Sequence, residues 1–252
     1  MSAFGIAGIV FVCCFAAALL GLLLHKVIPD QHLDNDSKDT VKLVMGLIAT
    51  MSALVLGLLI ASAKSSYDAQ TSGLEQLAAD IVQLDQDLTH YGEETKEIRA
   101  LLRTTMIEVH DRVWSGNKPL GGVDPRASAE EYGSIHDAIQ SLSAATEIQK
   151  RDREEALDMA AHIRRTRLLM FVESTGQLPF PFLVILVLWI ATLFLGFGLF
   201  SRFNPTGITS LFVGTLCVAG AVFLILELNS PFAGLMRVSD APVRYAISRL
   251  GQ

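Results

Sequence analysis

Four long stretches without a charged side chain constrain this sequence more than any other feature. Each contains 20 or 21 residues, and they cover residues 4–24, 43–63, 180–200 and 207–226. A helix of that length rises about 30 Å and satisfies its own backbone hydrogen bonds, which is what crossing the hydrocarbon layer of a membrane requires. The sequence therefore predicts four transmembrane helices.

The composition agrees with a membrane protein. Only 18% of the residues are charged and the mean hydropathy is +0.42, whereas a soluble globule needs more charged side chains to cover its surface. A net charge of −6 argues against a nucleic-acid partner, which would require a concentrated basic surface. The first stretch is interpreted as a span rather than a removable signal peptide, because it is long and no Lys or Arg precedes it.

The spacing of the spans predicts the domain organisation. Short connections join spans one and two and spans three and four, so residues 1–63 and 180–228 should form two tight antiparallel hairpins. Residues 64–179 hold 13 of the 20 basic and 20 of the 26 acidic side chains, which indicates a water-exposed domain. The expected fold is all-α: four transmembrane helices in two hairpins, a long helical cytoplasmic insertion between helices 2 and 3, and a tail at 229–252.

Basic residues beside the spans predict which side of the membrane the middle domain occupies. Six of them flank the side of the middle domain and four flank the other side, so the positive-inside rule places the middle domain and both termini in the cytoplasm. The six are Lys64, Arg164, Arg165, Arg167, Arg237 and Arg244, and the four are Lys26, Lys38, Lys42 and Arg202. The three cysteines, Cys13, Cys14 and Cys217, all lie inside spans.

Apolar residues at helical spacing predict that the middle domain is a helical bundle. A stripe beyond the second span indicates that this span continues outward as a stalk until Tyr91 and Gly92 interrupt it. A second helix should then reach Trp114, and after the turn at 115–127 one return helix should start at a capping box of Ser128 and Glu131. The stripe could form an intramolecular core or subunit contacts, and consists of Leu74, Leu77, Ile81, Leu84 and Leu88.

The tail contains a candidate amphipathic helix. Ser239 could cap it, and its apolar side chains share one face opposite two arginines, a pattern that suits the membrane surface. The apolar residues are Val243, Ile247 and Leu250, and the arginines are Arg244 and Arg249.

Motifs of catalysis and metal binding are not found in the sequence. It has no phosphate-binding glycine loop, no HExxH and no paired-cysteine knuckle, and its six histidines are at least seven residues apart, so we expect neither an enzyme nor a cofactor or metal site. The cluster of Asp34, Asp36 and Asp39 lacks the glycine and glutamate that close a calcium loop. Helix capping is the favoured interpretation of that cluster, with a divalent-ion site as the alternative.

The second span carries a stripe of small side chains that permits two interpretations. Such a stripe lets helices approach closely in a membrane, and repeated around a symmetry axis it could instead line a narrow, weakly polar pore. The opposite face is bulky and the span has no aromatic residue. The stripe comprises Gly46, Thr50, Ala53, Gly57 and Ala61.

Charges near the ends of the spans suggest further roles. Lys42 and Lys64 would lie at the two mouths of such a pore and favour anions, although the nearby aspartates oppose that field at one mouth. Glu227 borders the fourth span and needs a partner, with Arg237, Lys64 or the arginines before span three as candidates, and a structural ion pair is favoured over a gating role. His25 is interpreted as an interfacial anchor rather than a proton sensor.

Two segments resemble one family. The sequence DSKDTVKLVMGLIATMSALVLGLLIASAKSSYD through span two and the tail ELNSPFAGLMRVSDAP are similar to bestrophin-like integral membrane proteins of bacteria and plants, and the similarity covers nearly the whole chain. The resemblance implies kinship with bestrophins, which are pentameric anion channels of four-span subunits with cytoplasmic termini. Bestrophins line their neck with apolar and aromatic side chains of span two, so only the position of the helix carries over. No counterpart of the animal calcium clasp is identified.

The sequence thus predicts a homo-oligomer, with a pentamer favoured by the resemblance, that conducts small inorganic ions passively through a pore lined by span two. Anions such as chloride are favoured weakly. The alternative is a non-conducting scaffold or signalling protein in the lipid bilayer whose cytoplasmic helices recruit a partner.

Overall fold

A computed structural model describes residues 2–27, 35–115, 125–175, 180–201, 203–232 and 234–251. Within these ranges the chain forms helices and no strand. A 3-10 turn at Glu93–Thr95 precedes the helix Lys96–His110, and a π-helical turn at Asp111–Ser115 follows it. The helices are α1 Ala3–Val27, α2 Asn35–Tyr91, α3 Lys96–His110, α4 Pro125–Gln140, α5 Glu147–Thr175, α6 Phe180–Phe200, α7 Pro205–Leu228 and α8 Ala241–Arg249.

The helices belong to two compact units. The first unit comprises Met1–Ser65 and Gln177–Asn229, and the second comprises Ser66–Gly176 and Ser230–Gln252. Helix α2 runs through the boundary, as expected for a span that continues as a stalk. Four helices are long and apolar enough to cross a membrane, namely α1, α2, α6 and α7.

The first unit is built on close contacts of α1 with α6 and α7. Gly21 of α1 and Gly198 of α6 allow the backbones to meet, because an added Cβ at either glycine would overlap a carbonyl oxygen of the other helix. Three phenylalanines, Phe11, Phe15 and Phe212, stack between α1 and α7 with ring centroids 5.4–5.8 Å apart. The backbone-to-backbone contact in this unit is thus between α1 and α6, and the arrangement of the spans in two hairpins stays a prediction.

The second unit has an apolar core around the extension of α2. The predicted stripe of five leucine and isoleucine side chains from Leu74 to Leu88 is buried, so its interpretation as an intramolecular core is confirmed. The helix ends at Tyr91 as predicted, because Gly92 adopts a φ of 127°, which favours glycine over any other residue. Core residues from α3, α4, α5 and α8 pack around the stripe.

A buried ion pair joins α2 to α3 inside this unit. The guanidinium of Arg99 donates from Nε and Nη2 to the two carboxylate oxygens of Asp85, at 2.8 and 3.0 Å. Both side chains are largely buried, and this hydrogen bonding raises the pKa of Arg99 above its ordinary value. Removing one partner would leave a buried charge uncompensated, which typically costs about 3–5 kcal/mol.

The return path consists of two helices, so the prediction of one return helix was wrong. Helix α4 begins at Pro125 and ends at Gln140, and α5 begins at Glu147. A capping box starts α5: the Thr146 hydroxyl accepts from the Gln149 backbone N–H at 3.1 Å, and the Gln149 side chain accepts from the Ala145 N–H at 3.0 Å. The side chains of the capping box predicted from Ser128 and Glu131 lie outside the described residues.

The tail helix α8 packs on protein, which corrects its assignment to the membrane surface. Val243 and Leu250 are each 3% exposed, and Ile247 packs against the same core. Helix α8 contacts α3. An amphipathic pattern reveals that a face is covered, but it does not specify whether lipid or another helix covers it.

Substitution of Gly21 by alanine tests the close approach of α1 and α6. We expect Gly21→Ala to lower the stability of the first unit by about 2 kcal/mol, because the new methyl group must push α6 away. Thermal unfolding of the purified protein in detergent measures the loss. Gly8→Ala on the same helix is the control, since a Cβ there meets nothing within 4 Å. Equal melting temperatures for the two variants would contradict the packing described here.

Candidate functional site

The membrane segment of α2 is far less covered by its own chain than the other candidate spans. Only 6% of its most apolar stretch is buried, compared with 39% in each of α1, α6 and α7. Its mean hydropathy of 2.5 matches theirs, which lie between 2.4 and 2.8. A surface this apolar must be covered by lipid or by another protein surface, because water solvates it poorly.

One face of α2 contacts the first unit, and we call it the contact face. Met45 lies against Gly196 of α6, where an added Cβ would meet the methionine sulphur at 2.6 Å. The side chains of the contact face are buried or half-buried: Met45, Ile48, Ala49, Ser52, Val55, Leu56, Leu59, Ile60 and Ala63. At 100° per residue they occupy a little less than half of the helix circumference.

A second face, the small face, holds the five residues predicted to line a pore. All five are exposed: Gly46, Thr50, Ala53, Gly57 and Ala61. A Cβ built on Gly46 or on Gly57 meets nothing within 4 Å. Within the described residues no helix of the same chain packs on this face, so a packing seam inside one subunit does not account for the small side chains.

A third face, the leucine face, is also exposed. It carries large side chains with exposed fractions between 61% and 76%: Leu43, Leu47, Leu54 and Leu58. On the helical wheel it adjoins the small face on the side away from the contact face. The exposed half of α2 is thus divided into one narrow surface of small residues and one bulky surface.

The hydroxyl of Thr50 adds polarity to the small face without offering a free donor. Its Oγ1 donates to the backbone carbonyl of Leu47 at 2.8 Å. The oxygen then presents its lone pairs outward. The small face is consequently weakly polar, and any preference for anions must come from charges elsewhere.

The two predicted mouth lysines differ in their surroundings. Lys42 forms an ion pair with Asp39 at 3.0 Å, with both side chains more than 60% exposed. This pair largely cancels the positive charge of Lys42. Lys64 is exposed and follows the small face by one turn of the helix. The side chains of Asp34 and Asp36 lie outside the described residues.

The other predicted site residues lie near the ends of helices and in the tail. Glu227 lies in the last turn of α7 and is 5% exposed. Arg237 donates from Nε to the carbonyl of Gly234 at 3.2 Å. His25 is exposed near the end of α1. The described residues contain no group of three His, Cys, Asp or Glu side chains that could hold a metal ion.

Sequence reasoning did not single out Ser52. Its side chain is 5% exposed on the contact face, and its Oγ has no hydrogen-bond partner among the described residues. A buried hydroxyl without a partner costs free energy in a membrane protein interior. No sequence signal marks Ser52, because serine is common at positions of membrane helices where small residues pack.

Comparisons with known proteins show a family match and two solved structures with a similar fold. A family model described as a bestrophin-like domain matches residues 12–243. The fold is shared with the crystal structure of a bacterial bestrophin homologue from Klebsiella pneumoniae that carries one mutation, with a TM-score of 0.65, 14% identity, and coverage of 94% of this chain and 98% of that chain.

A second solved structure, described as a membrane protein variant, matches with a TM-score of 0.64, 15% identity and the same coverage. No curated protein matches the sequence. The family model covers nearly the whole chain and agrees with the resemblance noted in span two and the tail. This chain belongs to the bestrophin-like family.

Proposed function

We propose that this protein forms a homo-oligomeric channel of the bacterial inner membrane that conducts small ions passively through a pore lined by the small face of α2. The observation that carries the proposal is the exposure of all five small-face residues in a membrane helix. Membership in the bestrophin-like family and the fold shared with a bacterial bestrophin homologue support it.

The three faces of α2 suit a helix close to a symmetry axis. The contact face is satisfied by the subunit itself, and the leucine face offers enough apolar surface for a neighbouring subunit or lipid. The small face then turns toward the axis, where several copies surround a common opening. Small side chains keep that opening wide while the helices stay close together.

The lysines at the two mouths set the proposed ion preference. Rings of Lys64 and of Lys42 would attract anions, although Asp39 lies 3.0 Å from Lys42 and opposes its field. Thr50 offers acceptor oxygens rather than donors. We therefore propose a weak selectivity for anions such as chloride, with the Lys64 mouth on the cytoplasmic side.

The four-span topology belongs to the same proposal. Spans α1, α2, α6 and α7 form the membrane domain, and the insertion between α2 and α6 and both termini lie in the cytoplasm. Glu227 acts as a structural charge at the cytoplasmic end of α7, and His25 acts as an interfacial anchor at the opposite side of the membrane, near the end of α1. A pentamer is the assembly that the family kinship favours.

Reversal potentials measure the proposed conduction and its selectivity. We expect purified protein in planar bilayers under a KCl gradient to carry current with a reversal potential on the chloride side. Lys64→Gln should shift that potential toward zero, because it removes the charge that attracts anions. Lys42→Gln should shift it in the same direction, because Lys42 lies at the other mouth. Currents no larger than those of empty membranes would reject the channel, and a potential on the potassium side would reject the anion preference.

Added bulk on the small face distinguishes a pore from a scaffold. We expect Ala53→Leu to reduce the single-channel conductance several-fold while the oligomer mass in detergent stays unchanged, because the larger side chains narrow the opening. Ser62→Leu adds comparable bulk at an exposed position of α2 outside the small face and is the matched control. If Ala53→Leu disrupts the oligomer instead, the small face is a contact between subunits and the scaffold interpretation gains support.

A further inference from the structure

The chain that follows α7 folds back into a closed loop that is fastened to the end of α3. The Val238 N–H donates to the Pro231 carbonyl at 2.8 Å, which closes the loop. Trp114 then donates from Nε1 to the Val238 carbonyl at 3.1 Å, and its ring packs edge-on against Phe232. Phe232 and Val238 are both buried, so this attachment has an apolar base.

The π-helical turn at the end of α3 directs its side chains toward this loop. Asp111–Ser115 is the one π-helical segment within the described residues. Turns of this kind alter the side-chain register of a helix and occur often at functional positions. The turn carries Trp114 and directly follows His110, whose ring stacks on the indole with centroids 5.5 Å apart.

Both ring nitrogens of His110 face carboxylates. Nδ1 lies 3.1 Å from Oδ1 of Asp111, and Nε2 lies 3.2 Å from Oδ2 of Asp240 at the start of α8. A neutral imidazole has one N–H and can donate to only one of these oxygens, whereas an imidazolium donates to both. A neutral ring with its proton on Nε2 can donate to Asp240, and protonation adds the bond to Asp111 and gives the bond to Asp240 a full positive charge on the donor. The contact between α3 and the tail is therefore stronger when His110 is protonated.

The surrounding charges favour the same conclusion. Arg244 of α8 donates from Nε to Oδ2 of Asp240 at 3.2 Å and places a positive charge beside that carboxylate. Asp111, the first residue of the π-helical turn, is the other charged group against the ring. Among the described side chains of α4, none forms an ion pair with His110. The side chain of His110 is 19% exposed, so protons reach it from solvent.

We propose that His110 and Asp240 form a pH-sensitive clasp that holds residues 230–251 on α3 and tightens when the cytoplasm acidifies. Between about pH 5.5 and about pH 8, histidine changes charge while carboxylates stay ionised. Because residue 230 follows the α7 segment directly, the clasp couples cytoplasmic pH to the last span. This regulatory role rests on the proposed channel function, while the clasp itself does not.

Hydrogen–deuterium exchange of the full-length oligomer in detergent tests the clasp without any measurement of current. We expect the protection of backbone amides in 231–250, corrected for intrinsic exchange rates, to fall about tenfold from about pH 5.5 to about pH 8. His110→Gln should abolish this difference, and so should Asp240→Asn, which supplies the test if the first variant does not fold. His162→Gln is the control, since His162 faces Asp80 rather than the tail. Equal protection at both pH values, or a pH dependence retained in His110→Gln, would overturn the clasp.

Bilayer currents then test the coupling. We expect the conductance of the unmodified protein to change with cytoplasmic pH over the same range, and that of His110→Gln to be constant. A tail that tightens with acid while the conductance is constant would overturn the regulatory role. If no current is seen at any pH, the channel proposal fails, and the exchange experiment still decides whether the clasp exists.

Discussion

The rest of the structure depends on one constraint: the chain itself covers only a small part of the apolar membrane segment of α2. A membrane helix needs no partner for its backbone, so what covers its side chains is decided by packing alone. The chain covers less than half of α2 and leaves a small and a bulky surface exposed. The bulky surface has to be covered by other copies or by lipid, whereas the small surface is available to line an opening between copies.

Helix α2 is packed less closely than α1 and α6, which touch each other through their backbones. Gly21 and Gly198 bring those two backbones into contact, and the aromatic rings between α1 and α7 fill the remaining space. Helix α2 contacts α6 where Met45 lies against Gly196, and its Ser52 is buried. Small residues therefore have two different effects in the same unit: in α1 and α6 they let helices touch, and in α2 they leave a surface open.

The transmembrane spans, the extension of α2 beyond the second span and the buried stripe from Leu74 to Leu88 were predictable, because each depends on a regular pattern. The lack of charge over about 20 residues marks a span, and the three-and-four spacing of Leu74 to Leu88 marks a buried face. The division of α2 into three faces was only half predictable. The sequence separates small from bulky side chains, but nothing in it shows that Met45 and Ser52 face the same subunit.

Two local errors have physical causes. At the break between α4 and α5, the Thr146 hydroxyl accepts from the Gln149 N–H and the Gln149 side chain accepts from the Ala145 N–H, in a segment that otherwise continues a helical pattern. The docking of α8 depends on contacts between residues more than 100 positions apart, such as Trp114 with Val238. Amphipathic spacing in α8 was visible, but its partner could come only from the tertiary structure.

Modification of cysteines introduced side by side on α2 tests the account most directly. In a background without Cys13, Cys14 and Cys217, Ala53→Cys and Leu54→Cys place a thiol on the small face and on the leucine face. A charged, membrane-impermeant thiol reagent should react with the first variant and block its current, because its thiol lines a water-filled opening, and should spare the second. Reaction at position 54 with no reaction at position 53 would contradict the assignment of the small face to the pore.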